Sequence, residues 1–203
     1  MPAELLTAKG RQTRQAIELA ARKLFAERGF HGTTLADITS AAGKSPAVFY
    51  RYFADKEDLL AALAGSFLHD VVTPSGLNVH LPESPDDDAF FAEVVTGYWN
   101  MFKQNIGIMI AVAQLAATQQ RFATVQNAFR RFGMDIVAAS VRRAQEQGYG
   151  AELNAQHTAA AIALLFENFT SVFVGTNGLG IEVSDEDAIA TLSTIWKRTL
   201  YGA

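Results

Sequence analysis

The chain has no cysteine among its 203 residues, only four histidines, and no uninterrupted apolar run of the roughly 18 residues a membrane span requires. Without cysteine there is no disulfide framework, no thiolate nucleophile and no Cys-rich metal site. His31, His69, His80 and His157 are scattered without metal-ligand spacing, and no G-x-S-x-G elbow, H-E-x-x-H pair or Walker loop occurs. An enzyme is therefore not the expectation, and neither a metal nor a cofactor is called for. The start, MPAELLTAKGRQTR, lacks the apolar core of a secretory signal, so a cytoplasmic protein with no membrane partner is expected. In that compartment the Asn168-Phe169-Thr170 sequon carries no meaning. The Gly-rich run at 175–180 follows no strand and reads as a helix-terminating turn.

The net charge of −4 is unevenly spread. Residues 1–56 hold nine Lys/Arg against five Asp/Glu, whereas residues 57–203 hold eight against sixteen. A basic head on an acidic body suits a nucleic-acid partner, and a plain solvated surface gives the same count.

The head reads as short helices closed by local signals. From Thr13 to Arg28, Ile17, Ala20, Ala21, Leu24 and Phe25 recur at helical spacing, and Gly29 closes the helix with Phe30 folding back. Thr34 and Asp37 stand as a capping box for a second helix with Leu35, Ile38 and Ala42 inward, stopped at Gly43. Ser45 caps a third helix with Pro46 in its first turn, and Asp55 caps a fourth from Lys56 to about Val72. A short helix, a glycine turn and a second short helix carrying Tyr50, Arg51 and Tyr52 is the layout of a helix-turn-helix.

Five further helices follow, with no strand-like alternation and no internal repeat. They run from Ser84-Pro85 to about Gln104, Ile106 to Thr118, Phe122 to Gln147, Asn154 to about Thr176, and Ser184 to Tyr201. The longest loops fall at Thr73 to Pro82 and Asn177 to Val183. The fold class is all-α, about nine helices, with a helix-turn-helix domain at 1–55 and a helical regulatory domain at 56–203.

Phe25, Gly29, Thr33, Thr34, Ile38, Ala42, Gly43, Ser45, Tyr50, Tyr52, Phe53, Lys56 and Leu59-Leu60 occur in an order and spacing that resembles the tetracycline-repressor (TetR) family of bacterial regulators. The resemblance runs over residues 10 to 63. It departs at Lys44, where the family usually has a small apolar residue, and at Ala47-Val48, where Gly-Thr is frequent.

The resemblance implies a homodimeric DNA-binding regulator, usually a repressor of a palindromic double-stranded operator, released by a small hydrophobic or aromatic effector. The same fold acting under a protein partner, without a ligand, is the alternative. Tyr50 would bond one phosphate, Lys56 would present its amine and helix N-terminus to another, and Thr33 and Thr34 would contact backbone phosphates beside the groove. Ser45, Pro46, Ala47 and Arg51 would lie nearest base edges, Arg51 being the candidate reader of guanine. Lys44 adds a phosphate contact or is simply solvated. Tyr52 stands between contact and core, and Phe53 reads as core.

The implied effector pocket draws on Phe91, Tyr98, Trp99, Phe102, Met109, Phe129, Phe132, Phe166 and Phe169, each of which taken singly reads more readily as ordinary core, with Asn100, Gln114 and Asn168 as candidate polar anchors. Ala155, Ala159, Ala161, Ile162 and Leu165, with Ile189, Leu192, Ile195 and Trp196, make a stripe that suits either a second subunit or the chain's own core.

Overall fold

The computed structural model describes residues 6–72, 80–175 and 178–202. The expected loops at 73–82 and 177–183 fall in part on residues 73–79 and 176–177, which lie outside the described residues. The described residues form nine helices and no strand: α1 (Ala8–Arg28), α2 (Leu35–Ala41), α3 (Pro46–Phe49), α4 (Lys56–Val72), α5 (Asp88–Gln104), α6 (Ile106–Ala116), α7 (Gln120–Glu146), α8 (Ala155–Gly175) and α9 (Asp185–Tyr201).

The chain divides into two compact units, Met1–Asp70 with Asn105–Gln126, and Val71–Gln104 with Asn127–Ala203. The boundary expected between residues 55 and 56 is not where they part, because Leu59, Leu60 and Leu63 of α4 and Ile108, Ala111 and Val112 of α6 belong to the head's own core.

In the first unit α1 begins five residues before the expected start, because the Thr7 hydroxyl accepts from the Gly10 amide at 3.2 Å and caps it. Ile17, Phe25, Ile38, Phe49 and Leu60 are buried together, and Phe30 packs on Phe25 with ring centres 5.3 Å apart. These helices are too short to persist alone, and their shared core is what holds them. Gly107 lets the first turn of α6 lie against α1: a Cβ there would overlap the backbone of Phe25 and Ala26. Beside it the Arg22 guanidinium donates to Asn105 Oδ1 at 3.1 Å.

In the second unit the start of α5 is set by Asp87, whose carboxylate accepts from the amides of Phe90 (3.2 Å) and Glu83 (3.1 Å). Ser84 caps only the turn before it, through the Asp86 amide, so Pro85 does not sit in the helix's first turn as expected. α5 packs along α9: Trp99 Nε1 and Lys103 Nζ both donate to Asp185, at 3.0 and 2.6 Å. Lys197 returns the contact to Asp88 at 2.6 Å. Trp196 is buried against Phe90 and Phe91, and its indole N–H donates to Ser140 Oγ at 3.2 Å. Ser184 caps α9 as expected, accepting from the Asp187 amide at 3.0 Å.

α8 is long and apolar enough to cross a membrane by length and composition alone. Its Ala159, Ile162, Phe166 and Thr170 face the unit's core instead. The expected stripe therefore divides. Ala159, Ile162, Leu192 and Trp196 are core, Ala155 and Ile189 are half-buried, and Ala161, Leu165 and Ile195 remain exposed.

Candidate nucleic-acid interface and effector cavity

The helix-turn-helix is built from local bonds. Thr34 Oγ1 accepts from the Asp37 amide at 3.1 Å, while the Asp37 carboxylate accepts from the Thr34 amide at 2.8 Å and from its hydroxyl. Those bonds from Thr34, side chain first and backbone second, hold the Asp37 carboxyl below its ordinary 3.8; Arg28, 3.6 Å away, adds to the effect against slight desolvation. Gly43 takes φ 62°, a left-handed turn that a side chain would strain. α3 then starts at Pro46, with Ser45 extended and no hydroxyl cap bond, contrary to the expected side-chain cap.

α3 and the residues beside it divide by face. Phe49 and Phe53 are buried, whereas Ser45, Pro46, Ala47, Tyr50 and Arg51 are exposed. Lys44, Val48 and Tyr52 are half-buried, Tyr52 packing on the head's core. The Tyr50 ring stands edge-on to Phe49 at 5.7 Å and is 61% exposed, an unusual posture for so large an apolar body. Arg51 and Lys44 make no ion pair among the described residues, so their charge faces solvent.

Three of the expected contact residues carry bonds within the head. Thr33 is fully buried, and its hydroxyl donates to Gly29 O at 2.8 Å and Leu24 O at 3.2 Å, so it holds the end of α1 instead of reaching outward. The Thr34 hydroxyl and amide are both engaged by Asp37. The Lys56 amine donates to Phe30 O (2.7 Å) and Thr33 O (2.8 Å) and lies 4.2 Å from the Phe30 ring centre. Two of its three N–H groups are thus tied to the turn between α1 and α2.

The second unit contains a cavity of about 580 Å³. Tyr98, Phe129, Phe132 and Phe166 line it as expected, with Ile136, Val137 and Trp196. The other expected members do not. Trp99 and Phe102 are core, Phe91 packs on Trp196, and the Phe169 ring lies tilted against Phe173 with centres 4.6 Å apart. Asn100, Gln114 and Asn168 are exposed, which removes them as internal anchors. Met109 and Gln114 belong to the first unit.

The polar groups on the lining are others, which helical spacing did not single out: His80, Glu93, Arg130 and Glu167. Arg130 meets Glu167 in a fork, Nε to Oε2 at 2.6 Å and Nη2 to Oε1 at 2.8 Å. That carboxylate holds the guanidinium's pKa above its ordinary value despite partial burial. An (i, j) pair 37 residues apart leaves no sequence signal.

A capped helix, a left-handed glycine turn and a short helix with an exposed Tyr-Arg edge define a helix-turn-helix protein of the all-α class. Residues 17–63 match the family model described as bacterial regulatory proteins, tetR family. The match covers 47 of the 203 residues, and it is this amino-terminal domain that resembles the family.

Among known proteins, it is 39% identical over 72 residues to the HTH-type transcriptional repressor AcnR of Corynebacterium glutamicum. That match covers 34% of this chain and 38% of AcnR, little over a third of the relative's length. The HTH-type transcriptional regulator EthR of Mycobacterium tuberculosis is 22% identical over 187 residues, 92% of this chain and 86% of its own. The crystal structure of the transcriptional regulator FadR from Bacillus subtilis in complex with stearoyl-CoA shares the fold, with a TM-score of 0.64 and 19% identity over 93% of this chain and 98% of that one.

Proposed function

We propose that the protein is a sequence-specific DNA-binding transcription regulator that acts as a repressor and is released by a small, mainly apolar effector. The observation that carries this reading is the outer edge of α3: Tyr50 and Arg51 stand exposed on a buried Phe49 and Phe53, inside the segment matching the tetR-family model. In this reading Tyr50 and Lys44 bond phosphates, and Arg51, with Ser45, Pro46 and Ala47, faces base edges in the major groove. Thr33, Thr34 and Lys56 shape the turn that presents them.

A palindromic operator needs two heads about one helical turn, roughly 34–36 Å, apart. A homodimer supplies them, and the exposed Leu164, Leu165 and Ile195 offer apolar surface for it. Cytoplasmic placement follows from the DNA partner. The effector occupies the cavity of the second unit. Among the described residues its only Lys or Arg is Arg130, already paired with Glu167, and Glu93 adds a further acid. An uncharged ligand suits that lining better than a polyanion such as the stearoyl-CoA bound to the Bacillus regulator. A ligand releases DNA only by its differential affinity for the free and DNA-bound states.

The test is an electrophoretic shift of the full chain on duplex from upstream of its own gene, against a scrambled duplex of equal composition. Salt-sensitive retention of the first alone supports the reading. Equal retention of both removes sequence specificity from it.

A further inference from the structure

Gly97 and Gly133 both lie inside helices, α5 and α7, and both line the cavity of the second unit. Glycine is a poorer helix residue than alanine, because it gives up more backbone freedom on folding. The backbone supplies no reason for either one, since neither takes a left-handed φ and neither ends its helix. Packing supplies none either. Apart from each glycine's own stretch of helix, nothing among the described residues lies within 4 Å of where a Cβ would stand. Gly107 in the first unit is the contrast, because a Cβ there would overlap the backbone of Phe25 and Ala26.

Each of the two stands at the middle of the strip that its helix gives to the cavity. On α5 the lining runs from Glu93 to Met101, and Gly97 is four residues from both. On α7 it runs from Phe129 to Val137, and Gly133 is four residues from both. Residues four apart lie one above the other on a helix face, so each wall has side chains at its two ends and bare backbone between them. Gly97 is exposed and Gly133 half-buried, which leaves that backbone open to an incoming molecule.

We propose that Gly97 and Gly133 set the breadth of the ligand, and that the ligand is an uncharged, flat, fused-ring molecule whose body lies against these two bare stretches of helix. This rests on the reading of the cavity as the effector site. A helix without a Cβ is where a backbone and a ligand can approach most closely. The half-buried rings of Phe129 and Phe132 on the same wall offer an aromatic ligand faces and edges to pack on. A slim rod occupies the cavity without using either gap.

Nile red, a flat fused-ring dye, and diphenylhexatriene, a slim rod, are both uncharged and both brighten on leaving water, so they serve as probes. Fluorescence titration of each is run with the full chain and with Gly97→Ala, Gly133→Ala and Gly65→Ala. Gly65 has the same open space inside α4 but does not line this cavity, which makes it the control. Gly97→Ala and Gly133→Ala are each expected to weaken Nile red about tenfold, the factor for a methyl pressed into occupied space, and to leave diphenylhexatriene unchanged. Gly65→Ala leaves both dyes unchanged. The unliganded melting temperature holds or rises in all three, because alanine is the better helix residue.

Unchanged Nile red affinity in either cavity variant overturns the proposal and leaves the cavity standing as a site for a ligand of another shape. Equal weakening of both dyes overturns it as well, because breadth is then not what the glycines sense, and so does a like loss in Gly65→Ala. A fall in the unliganded melting temperature of a cavity variant also overturns it, since that glycine then serves the fold. A wild type that binds the rod alone contradicts the flat ligand. A wild type that binds neither dye sinks the effector cavity itself, and the proposal with it.

Discussion

Lys56 and Phe30, 26 residues apart, are joined twice: the ammonium donates to the Phe30 carbonyl at 2.7 Å and lies 4.2 Å from the centre of its ring. With the second bond, to Thr33 O at 2.8 Å, one side chain closes the turn that leads into α2. Lys56→Met keeps the apolar stem and removes both bonds. It is expected to lower stability by about 2 kcal/mol, since hydrogen bonds to a charged group are worth more than neutral ones. Urea unfolding of the two proteins measures it, and midpoints that coincide would remove the staple from the account.

Glycine at 107 is required by contact, and glycine at 65 is not. Gly107→Ala drives a Cβ into the backbone of Phe25 and Ala26 and is expected to cost about 3 kcal/mol. Gly65 sits inside α4 with open space where its Cβ would be, so Gly65→Ala is expected to stabilise by about 0.5–1 kcal/mol. Thermal unfolding should therefore move in opposite directions for these two substitutions.

Much of the head, and the start of α9, was legible because the signals there are local. Thr34 to Asp37, Gly43, Pro46 and Ser184 to Asp187 each set a helix end within four residues of themselves, and all these ends fall where sequence places them. What depended on distant partners was not legible. Thr33 and Lys56 read as outward contacts because their bonds go to carbonyls, which every residue has and no sequence marks. Trp99 read as pocket wall because its partner Asp185 is 86 residues away. The cavity's aromatic content was visible in Phe129, Phe132 and Phe166, whereas its charged pair needed the α7–α8 packing to appear.

The capping box is expected to make the head acid-sensitive. The Asp37 carboxyl is lowered in the folded chain, mainly by the Thr34 hydroxyl. A lowered carboxyl contributes stability that is in place above the ordinary value of 3.8 and is lost as pH falls from there through the folded value. Thr34→Val removes the hydroxyl, so a carboxyl-resolved NMR titration should find Asp37 shifted up toward 3.8. An unmoved Asp37 would show that the box is not what lowers it.

Tyr50 and Arg51 are expected to fail in different ways. Tyr50→Phe removes the hydroxyl proposed to bond a phosphate and should weaken binding to every duplex by a similar factor. Arg51→Ala should relax discrimination at one base pair per half-site, by about 1–3 kcal/mol for a bidentate contact with guanine. Fluorescence anisotropy across single-base operator variants separates the two, and unchanged relative affinities for Arg51→Ala would take it out of base reading.

Selection of duplexes from a random pool by the purified full chain tests the central claim most directly. The account predicts enrichment of a two-fold-symmetric sequence, and no enrichment when Tyr50 and Arg51 are both changed to alanine. A pool that stays random with the wild-type chain would contradict it, because an exposed Tyr50–Arg51 edge would then read nothing.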